Sequence, residues 1–530
     1  MNRAMTAVLA AAMAWAGLAG CSSPAPAAPS GSPAGTGRSA PSGSALAAGS
    51  SQLSWHRCPQ VKIGSPSATG RLQCASLQVP LNYADPAGRK ITLALSEVPA
   101  TAPPAQRQGV LLVNPGGPGG SGLSFAQDVA SGLTPQVARQ YDIVGFDTRG
   151  VGASKPALSC EPGFFSKPRP SYVPANSAAE RVLVNRAKQY AADCEKRFGW
   201  MLPHMTTEYL ARDMDSIRVA LGQRQINYYG VSYGTYLGQV YATMFPHHVR
   251  RMVLDSVVDP AGVWYRDNVQ QDYAFQGRIK AFFSWIARND STYHLGKTDA
   301  AVNSTFSAAM RRLAAHPISG PSGPLIGPDE LNDTFLVGGY SDQWWPYLAA
   351  GLSSYLRTGS GAELIPLYQQ IGKQGENEFA VYNAVECSDV NWPRSWVYWN
   401  SDTRKVAAKA PYETWGNAWF NAACAFWPVK GPARPLHIHA VGLPPILMLQ
   451  GSLDAATPYA GALVARKQLP SARLVVVQGG GNHGQSLAYP PNGCVNGYLN
   501  RYLADGSLPA RPGLINATCP ALAPPAAVKP

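Results

Sequence analysis

The sequence predicts an α/β protein with a mainly parallel sheet and a long helical insertion, and three observations support this prediction. Short apolar runs of strand type recur along the chain and enter turns rich in glycine, as at residues 109–113 and 141–147. A strand pattern at 226–231 leads directly into a sharp turn and a helical pattern. Over residues 261–435 this alternation stops and helical patterns replace it, and a chain of 530 residues is long enough for a body plus such an insertion.

The turn after the strand at 226–231 has the pattern G-x-S-x-G, from Gly230 to Gly234. Between a strand and a helix this pattern is the nucleophile elbow of α/β-hydrolases, whereas a bare match is often an ordinary turn. Both glycines fit the elbow, because a side chain at either position would collide with the adjoining strand and helix. We therefore predict Ser232 as the nucleophile and the Tyr233 N–H as a donor to the oxyanion. The predicted fold is an α/β-hydrolase with a mostly helical cap domain inserted after strand six.

The loop after the strand at 109–113 is the predicted location of the second oxyanion donor. It reads Asn-Pro-Gly-Gly-Pro-Gly-Gly-Ser-Gly over residues 114–122, and in this fold the second donor lies on the loop after strand three. Gly117 N–H is the first candidate and Gly116 N–H the second, because bare glycine backbone can approach a substrate carbonyl closely. A flexible connector is the alternative, and a phosphate-binding loop is excluded because no Lys-Ser/Thr follows the glycines.

Two later strand patterns supply the other members of a catalytic triad. The pattern of strand seven leads to Asp454, and the pattern of strand eight leads to His483 in a glycine-rich loop. The chain order Ser232, Asp454, His483 is the order that this fold requires. We predict His483 as the general base and Asp454 as the residue that orients its imidazole. Asp255, at the end of strand six, is the alternative acid.

The first fifty residues predict export and a lipid anchor. A short basic start is followed by an apolar stretch, and Leu-Ala-Gly-Cys at residues 18–21 resembles a bacterial lipobox. We predict a lipoprotein signal peptide over residues 1–20, lipidation of Cys21, and a flexible linker over residues 21–50, which are rich in Ser, Pro, Ala and Gly. The protein is then expected on the extracellular side of the cell membrane, with release to the medium as an alternative.

The cysteine count supports export. Eight cysteines remain besides Cys21, and eight allow 105 pairings. Because neighbours in sequence fall within single structural segments, we predict four sequential disulfides: Cys58–Cys74, Cys160–Cys194, Cys387–Cys424 and Cys494–Cys519. No pair has the C-x-x-C spacing of a zinc or thioredoxin-like site.

Charge and ligand patterns argue against other function classes. The net charge of +13 is diffuse, because basic residues never run beyond two in succession and no basic stripe alternates with aromatic residues. Nucleic-acid binding is therefore not expected. The pair His437 and His439 has no cysteine or carboxylate beside it at ligand spacing. We predict no metal and no cofactor, and no obligate protein partner is evident.

Four segments carry motifs that are specific in combination. They are Asn114-Pro-Gly-Gly-Pro-Gly-Gly120, Thr206-Thr-Glu-Tyr-Leu-Ala-Arg-Asp-Met-Asp-Ser-Ile-Arg218, Tyr228-Tyr-Gly-Val-Ser-Tyr-Gly-Thr235 and Val253-Leu-Asp-Ser-Val-Val-Asp-Pro260. Together they resemble secreted bacterial tripeptidyl aminopeptidases, which are prolyl-aminopeptidase-like serine peptidases with a TAP-like C-terminal segment. The resemblance implies release of short peptides, often tripeptides, from free N-termini. One departure is Ser256, where the family more often has glycine.

This resemblance extends over nearly the whole chain after the linker. We expect the first part of the hydrolase body over residues 51–260 and the cap domain over residues 261–435. The second part of the body, over residues 436–530, then corresponds to the TAP-like segment.

An aminopeptidase must hold the free ammonium of its peptide substrate at a fixed distance from the nucleophile, so carboxylates that face the pocket are expected. The cap offers Glu386 and Asp389 on either side of Cys387, in a segment that resembles the A-x-x-C-x-D pattern of the family. Solvation at the surface is the alternative for both carboxylates.

Three functions fit the residues to different degrees. The first is a serine exopeptidase that acts through an acyl-enzyme on Ser232. A secreted esterase or lipase of the same fold is the alternative, and an apolar cap pocket without paired carboxylates would favour it. A non-catalytic binding lipoprotein is disfavoured by the complete set of triad residues.

Overall fold

The computed structural model describes residues 53–58, 72–166, 169–320, 323–439 and 441–530. The predicted signal peptide, the lipidation site at Cys21 and the linker lie outside these residues. Within the described ranges, none of the helices combines the length and the apolar character that a bilayer crossing needs.

A ten-stranded sheet forms the centre of the protein. In chain order the strands, with a separate hairpin at β8 and β9, are β1 (His56–Arg57), β2 (Gln73–Pro80), β3 (Lys90–Val98), β4 (Gly109–Asn114), β5 (Tyr141–Asp147), β6 (Ile226–Val231), β7 (Val249–Asp255), β8 (Ile318–Gly320), β9 (Gly323–Ile326), β10 (Leu447–Gly451), β11 (Arg473–Gln478) and β12 (Ala517–Pro520). The spatial order is β1-β2-β3-β5-β4-β6-β7-β10-β11-β12. Pairing is antiparallel from β1 to β5 and parallel from β5 to β12.

The parallel strands have clear patterns in the sequence because strands that are covered on both faces are continuous apolar runs. All six residues of β6 are buried, as expected for a strand that is covered on both faces. The carboxyl ends of neighbouring parallel strands lie at one edge of the sheet, where ligands bind in open α/β folds. The loops after β6, β7, β10 and β11 therefore meet there. The α/β-hydrolase fold is confirmed, and β7 is strand six of that fold.

Helices flank the sheet and fill the insertion. The first part of the body has α1 (Phe125–Gly132), α2 (Pro135–Ala138), α3 (Ser177–Phe198), α4 (Thr207–Ala220) and α5 (Tyr233–Met244). The insertion has α6 (Tyr265–Arg288), α7 (Asp290–Tyr293), α8 (Asp299–Ala315), α9 (Pro328–Tyr340), α10 (Trp345–Thr358), α11 (Leu364–Leu367), α12 (Glu376–Asp389), α13 (Trp396–Ala407) and α14 (Thr414–Asn421). The second part of the body has α15 (Tyr459–Gln468) and α16 (Gly493–Asp505). Single helical turns lie at Pro104–Gln106, Leu202–His204, Pro246–His248, Asp342–Trp344, Tyr368–Gly372 and Ala422–Ala425.

The insertion does not have one common core. Apolar side chains between Ile279 and Ile371 form a cluster of their own. Most of those between Phe379 and Trp427, from α12 onward, instead join the cluster that packs against the sheet of the body, whereas Trp415 and Trp419 on α14 pack with side chains of α3. Only the first half of the insertion is therefore a lobe with a separate core, whereas α12 belongs to the body by its packing.

The four sequential disulfides are confirmed. Cys58 is bonded to Cys74, Cys160 to Cys194, Cys387 to Cys424, and Cys494 to Cys519. The third of these joins the end of α12 to the helical turn after α14, so it fixes the half of the insertion that packs on the body.

Candidate active site

The elbow after β6 has the strained backbone that this turn requires. Ser232 has φ 58° and ψ −129°, a conformation that an L-residue rarely adopts. A Cβ at position 230 would lie 2.4 Å from the carbonyl oxygen of Gly234, and a Cβ at position 234 would lie 2.7 Å from that of Asn114. The residues two positions before and after Ser232 must therefore be glycines, and the serine is presented at the edge of the sheet.

The glycine loop after β4 lies directly against this elbow. A Cβ on Gly116 would be 2.6 Å from the carbonyl oxygen of Val231 and 3.0 Å from the nitrogen of Tyr233. The Gly116 N–H donates to Asn114 Oδ1 at 3.0 Å, so this amide is occupied. The Gly117 N–H has no acceptor in the described part of the chain. The Tyr233 N–H is the first of its helix and has no acceptor within it, so Gly117 and Tyr233 remain the two candidate oxyanion donors.

The loops after β10 and β11 bring Asp454 and His483 together. His483 Nδ1 lies 3.0 Å from Asp454 Oδ1 and 3.1 Å from Oδ2. Only 2% of the His483 side chain and none of the Asp454 side chain is exposed. The His483 N–H donates to the Tyr340 carbonyl at 2.7 Å, which ties the loop to the end of α9. With Nδ1 paired to the carboxylate, Nε2 is the nitrogen that can take up a proton.

Backbone donors hold Asp454 from its other side. The N–H groups of Ala456 and Thr457 each donate to Oδ1 at 3.1 Å, and the Thr457 hydroxyl donates to Oδ2 at 3.2 Å. The carboxylate is therefore fixed in the orientation that it presents to the imidazole.

Asp255, the alternative acid, has different partners. Its carboxylate accepts hydrogen bonds from the N–H groups of Gln485 and Ser486, at 2.7 and 2.8 Å. It holds the loop that follows His483, whereas Asp454 contacts the imidazole itself.

Asp389 lies at the end of α12 and faces the body. Its Oδ1 accepts the Thr207 N–H at 2.6 Å, and its Oδ2 accepts the Thr207 hydroxyl at 2.6 Å and Trp264 Nε1 at 3.1 Å. Thr207 Oγ1 is also 2.7 Å from the Tyr233 hydroxyl. Burial raises the pKa of Asp389 to about 7, although these donors oppose the shift. Its contacts thus connect the insertion to the residue that follows Ser232.

Glu386, one turn earlier, has weaker partners. It is buried, and its Oε2 lies 3.5 Å from Asn268 Nδ2. Burial raises its pKa well above the usual value, the donors Tyr382 and Asn268 lower it, and the nearby charge of Asp389 raises it further. A buried carboxyl with a raised pKa favours a positively charged ligand, which would stabilise its charged form.

Two further buried carboxyl groups act on Tyr340, the neighbour of His483, and the sequence analysis missed both. Burial raises the pKa of Tyr340, whose ring is 5.5 Å from that of His483, and the charges of Glu413, Asp454 and Glu378 raise it further. Burial alone raises the pKa of Glu378 to about 7. Burial and the charges of two neighbouring aspartates raise the pKa of Glu413 well above its usual value, and its Oε2 has no hydrogen-bond partner among the described residues.

A sequence signal existed for only one of these two. Glu378, Tyr382 and Glu386 follow one another at intervals of four on α12 and so share a helix face. Extending the prediction from Glu386 back along this face would have found Glu378. The segment around Glu413 has no pattern that marks it. The described residues contain no group of three His, Cys, Asp or Glu side chains that could hold a metal ion.

Comparison with known proteins agrees with this geometry. The family model for the alpha/beta hydrolase fold matches residues 109–488. A tripeptidyl aminopeptidase of Streptomyces coelicolor is 43% identical over 452 residues, which cover 83% of this chain and 82% of that protein. In Mycobacterium tuberculosis, the serine protease Hip1 is 30% identical over 483 residues and carboxylesterase B is 33% identical over 480 residues, each match covering 86% of this chain and 89% of the relative. The chain therefore belongs to the alpha/beta hydrolase fold family and, within it, to the family of the tripeptidyl aminopeptidases.

Proposed function

We propose that this protein is a serine exopeptidase that releases short peptides, in the first place tripeptides, from free N-termini. The names of its relatives, tripeptidyl aminopeptidase and serine protease, support this function. The pairing of Asp454 with His483 beside the strained Ser232 elbow supports the chemistry.

The reaction follows from the roles of these groups. His483 Nε2 takes the proton of Ser232 Oγ, and the oxygen attacks the scissile carbonyl carbon. The N–H groups of Gly117 and Tyr233 stabilise the negative charge that develops on the carbonyl oxygen. His483 then gives its proton to the leaving amine as the C–N bond breaks. Water, deprotonated by the same imidazole, releases the N-terminal peptide from Ser232. Asp454 stabilises the imidazolium in both steps.

The observation that favours a free N-terminus is a set of buried carboxyl groups in the insertion, two of which act on Tyr340, whose ring lies 5.5 Å from that of His483. Glu378, Glu386 and Glu413 are each held in an environment that raises the pKa, and for each of them burial is the largest cause. A substrate ammonium would stabilise their charged forms. In a tripeptide, this ammonium lies at most about 10 Å from the scissile carbonyl, so an anchor at this distance selects the number of residues released. Asp389 is less suited to this role, since Thr207 and Trp264 already donate to it.

An esterase is the second candidate. It is supported by the carboxylesterase B relative, which matches over a similar share of this chain. In that case the carboxyl groups would remain protonated and would bind a neutral substrate.

Matched substrates distinguish the two functions. A tripeptide anilide with a free N-terminus should be cleaved, whereas its N-acetylated form should be a poor substrate. Glu386→Gln should raise KM for the free peptide by about tenfold or more, because a charge-assisted contact contributes about 1.5–3 kcal/mol. A small neutral ester should keep its KM in the same variant. The matched control is Glu363→Gln, since Glu363 is exposed on the insertion. Equal rates of cleavage of the free and the acetylated peptide would exclude the exopeptidase and leave the esterase as the proposed function.

A lipid anchor on the extracellular side of the membrane is part of the same proposal. Its support is the lipobox at residues 18–21 together with the polar tract over residues 21–50, which is suited to a tether.

A further inference from the structure

Two residues at the carboxyl end of β7, Asp255 and Ser256, contact all three segments that carry the proposed triad. The Asp255 carbonyl accepts a hydrogen bond from the Ser232 N–H at 3.0 Å. The Ser256 N–H donates to the carbonyl of Leu449 at 2.9 Å, in the strand that leads to the proposed acid. The side chains of both residues contact the loop that follows His483.

The Asp255 carboxylate binds the base segment at two consecutive residues. In addition to the N–H groups of Gln485 and Ser486, it accepts the Ser486 hydroxyl at 2.5 Å. Asp255 is completely buried, so the two backbone N–H groups would be left unpaired inside the protein if the carboxylate were removed. The loop backbone is therefore held in one position relative to β7.

Ser256 contacts the same loop one residue closer to His483, at Gly484. Its Oγ accepts the Gly484 N–H at 2.8 Å, and the side chain is fully buried. Its φ is 59°, in the left-handed region that strains an L-residue and that glycine adopts freely. Since glycine would satisfy the backbone, the hydroxyl is the reason for a serine here. That hydroxyl is bonded to the residue directly after His483.

We propose that Asp255 and Ser256 are positioning residues that hold His483 in register with Ser232. They act through the loop backbone at residues 484–486 and do not touch the reacting atoms. This inference rests on the proposed serine-hydrolase chemistry, in which His483 must lie within hydrogen-bond reach of the nucleophile. Asp255, the alternative acid of the sequence analysis, thus positions the loop after His483 and does not orient the imidazole directly.

The decisive variant is Ser256→Gly, because it removes the hydroxyl and at the same time relieves the backbone strain. It should fold, with a thermal midpoint no lower than that of the parent protein. Its kcat should fall by about tenfold to a hundredfold on the free peptide and on the neutral ester alike, with KM unchanged. The rate at which a fluorophosphonate labels Ser232 should fall by the same factor, since labelling needs the imidazole in place.

Two further variants keep the test sharp. Ser256→Ala loses the hydroxyl and retains the strain, so it should lose both kcat and thermal stability. Ser452→Ala is the matched control, because Ser452 Oγ accepts the Gly479 N–H at 2.8 Å in the same loop region, away from His483. It should keep the parental kcat. A Ser256→Gly protein with parental kcat and labelling rate would overturn the inference, whereas a parent protein that is not labelled at Ser232 would overturn the proposed function itself.

Discussion

Thr207 is bonded twice to Asp389, through its N–H and through its hydroxyl, each at 2.6 Å. The same hydroxyl lies 2.7 Å from that of Tyr233, the residue that follows the nucleophile. At the opposite end of α12, a Cβ on Gly119 would be 2.7 Å from the carbonyl oxygen of Glu378. One helix of the insertion therefore contacts the loop of Gly117 directly and is linked to Tyr233 through Thr207.

Asp389→Asn should lower kcat on every substrate by about tenfold and leave KM for a neutral ester unchanged. The carboxylate of Asp389 has two acceptor oxygens, whereas an amide has only one. In the variant a single oxygen must accept from donors that now share two, so Thr207 and, through it, Tyr233 are held less firmly. Steady-state kinetics with a free peptide and an ester would measure this. A rise in KM confined to the free peptide would instead make Asp389 an ammonium ligand, as the sequence analysis expected.

Asp454→Asn should lower kcat on the order of 10⁴-fold, the size of the effect of this substitution in the well-studied serine protease triad. The amide no longer accepts the Nδ1 proton of His483 and so favours the wrong tautomer. Asp255→Asn is the comparison, and it should reduce kcat less and thermal stability more, because its carboxylate binds backbone amides. If Asp255→Asn instead lowered kcat more than Asp454→Asn, Asp255 at the end of β7 would be the acid of the triad.

KM for a peptide with a free N-terminus should fall as the pH rises from about 6 to about 7.5, below the pH of about 8 at which the α-ammonium itself loses its proton. Burial raises the pKa of Glu378 to about 7, so this carboxyl is mostly neutral below that pH and mostly charged above it. Only the charged form attracts an ammonium group. KM for a neutral ester should stay level over the same range, and Glu378→Gln should flatten the profile of the peptide. If KM depended on pH in the same way for the peptide and the ester in the parent protein, the proposed ammonium site would be contradicted.

Cys21→Ser should release the protein from the membrane fraction or block its processing, because the lipid would be attached through the thiol. Fractionation of cells that express the full chain would measure this. Membrane association that persists in the variant would point to another means of attachment.

The sequence analysis identified Ser232, Asp454 and His483 because their signals are local. Each follows a buried parallel strand, and the end of such a strand can be read from a few consecutive residues. The partners of the carboxylates in the insertion could not be predicted from local patterns. Asp389 meets Thr207 across 182 positions, and Glu413 comes near Tyr340 only through tertiary packing. The strand β12 was also missed, since four residues at an edge carry little pattern.

Local patterns also failed to show how the insertion is divided. Residues 261–435 read as one helical segment, because amphipathic periodicity indicates which face of a helix is buried and not which core it joins. The structure shows that most of the apolar side chains before residue 375 and most of those after it pack into different cores.

That division has a consequence for how the protein can change during evolution. The lobe built around the cluster from Ile279 to Ile371 meets the catalytic loops through contacts such as the Tyr340 carbonyl on the His483 N–H and the Asp342 N–H on Asn482 Oδ1. Substitutions inside that lobe could reshape the entrance to the active site while α12 and the sheet keep the machinery in place. The catalytic residues and the proposed ammonium carboxyls on α12, Glu378 and Glu386, are thus stabilised by the core of the body, and selection can act on the core of the lobe without unfolding them.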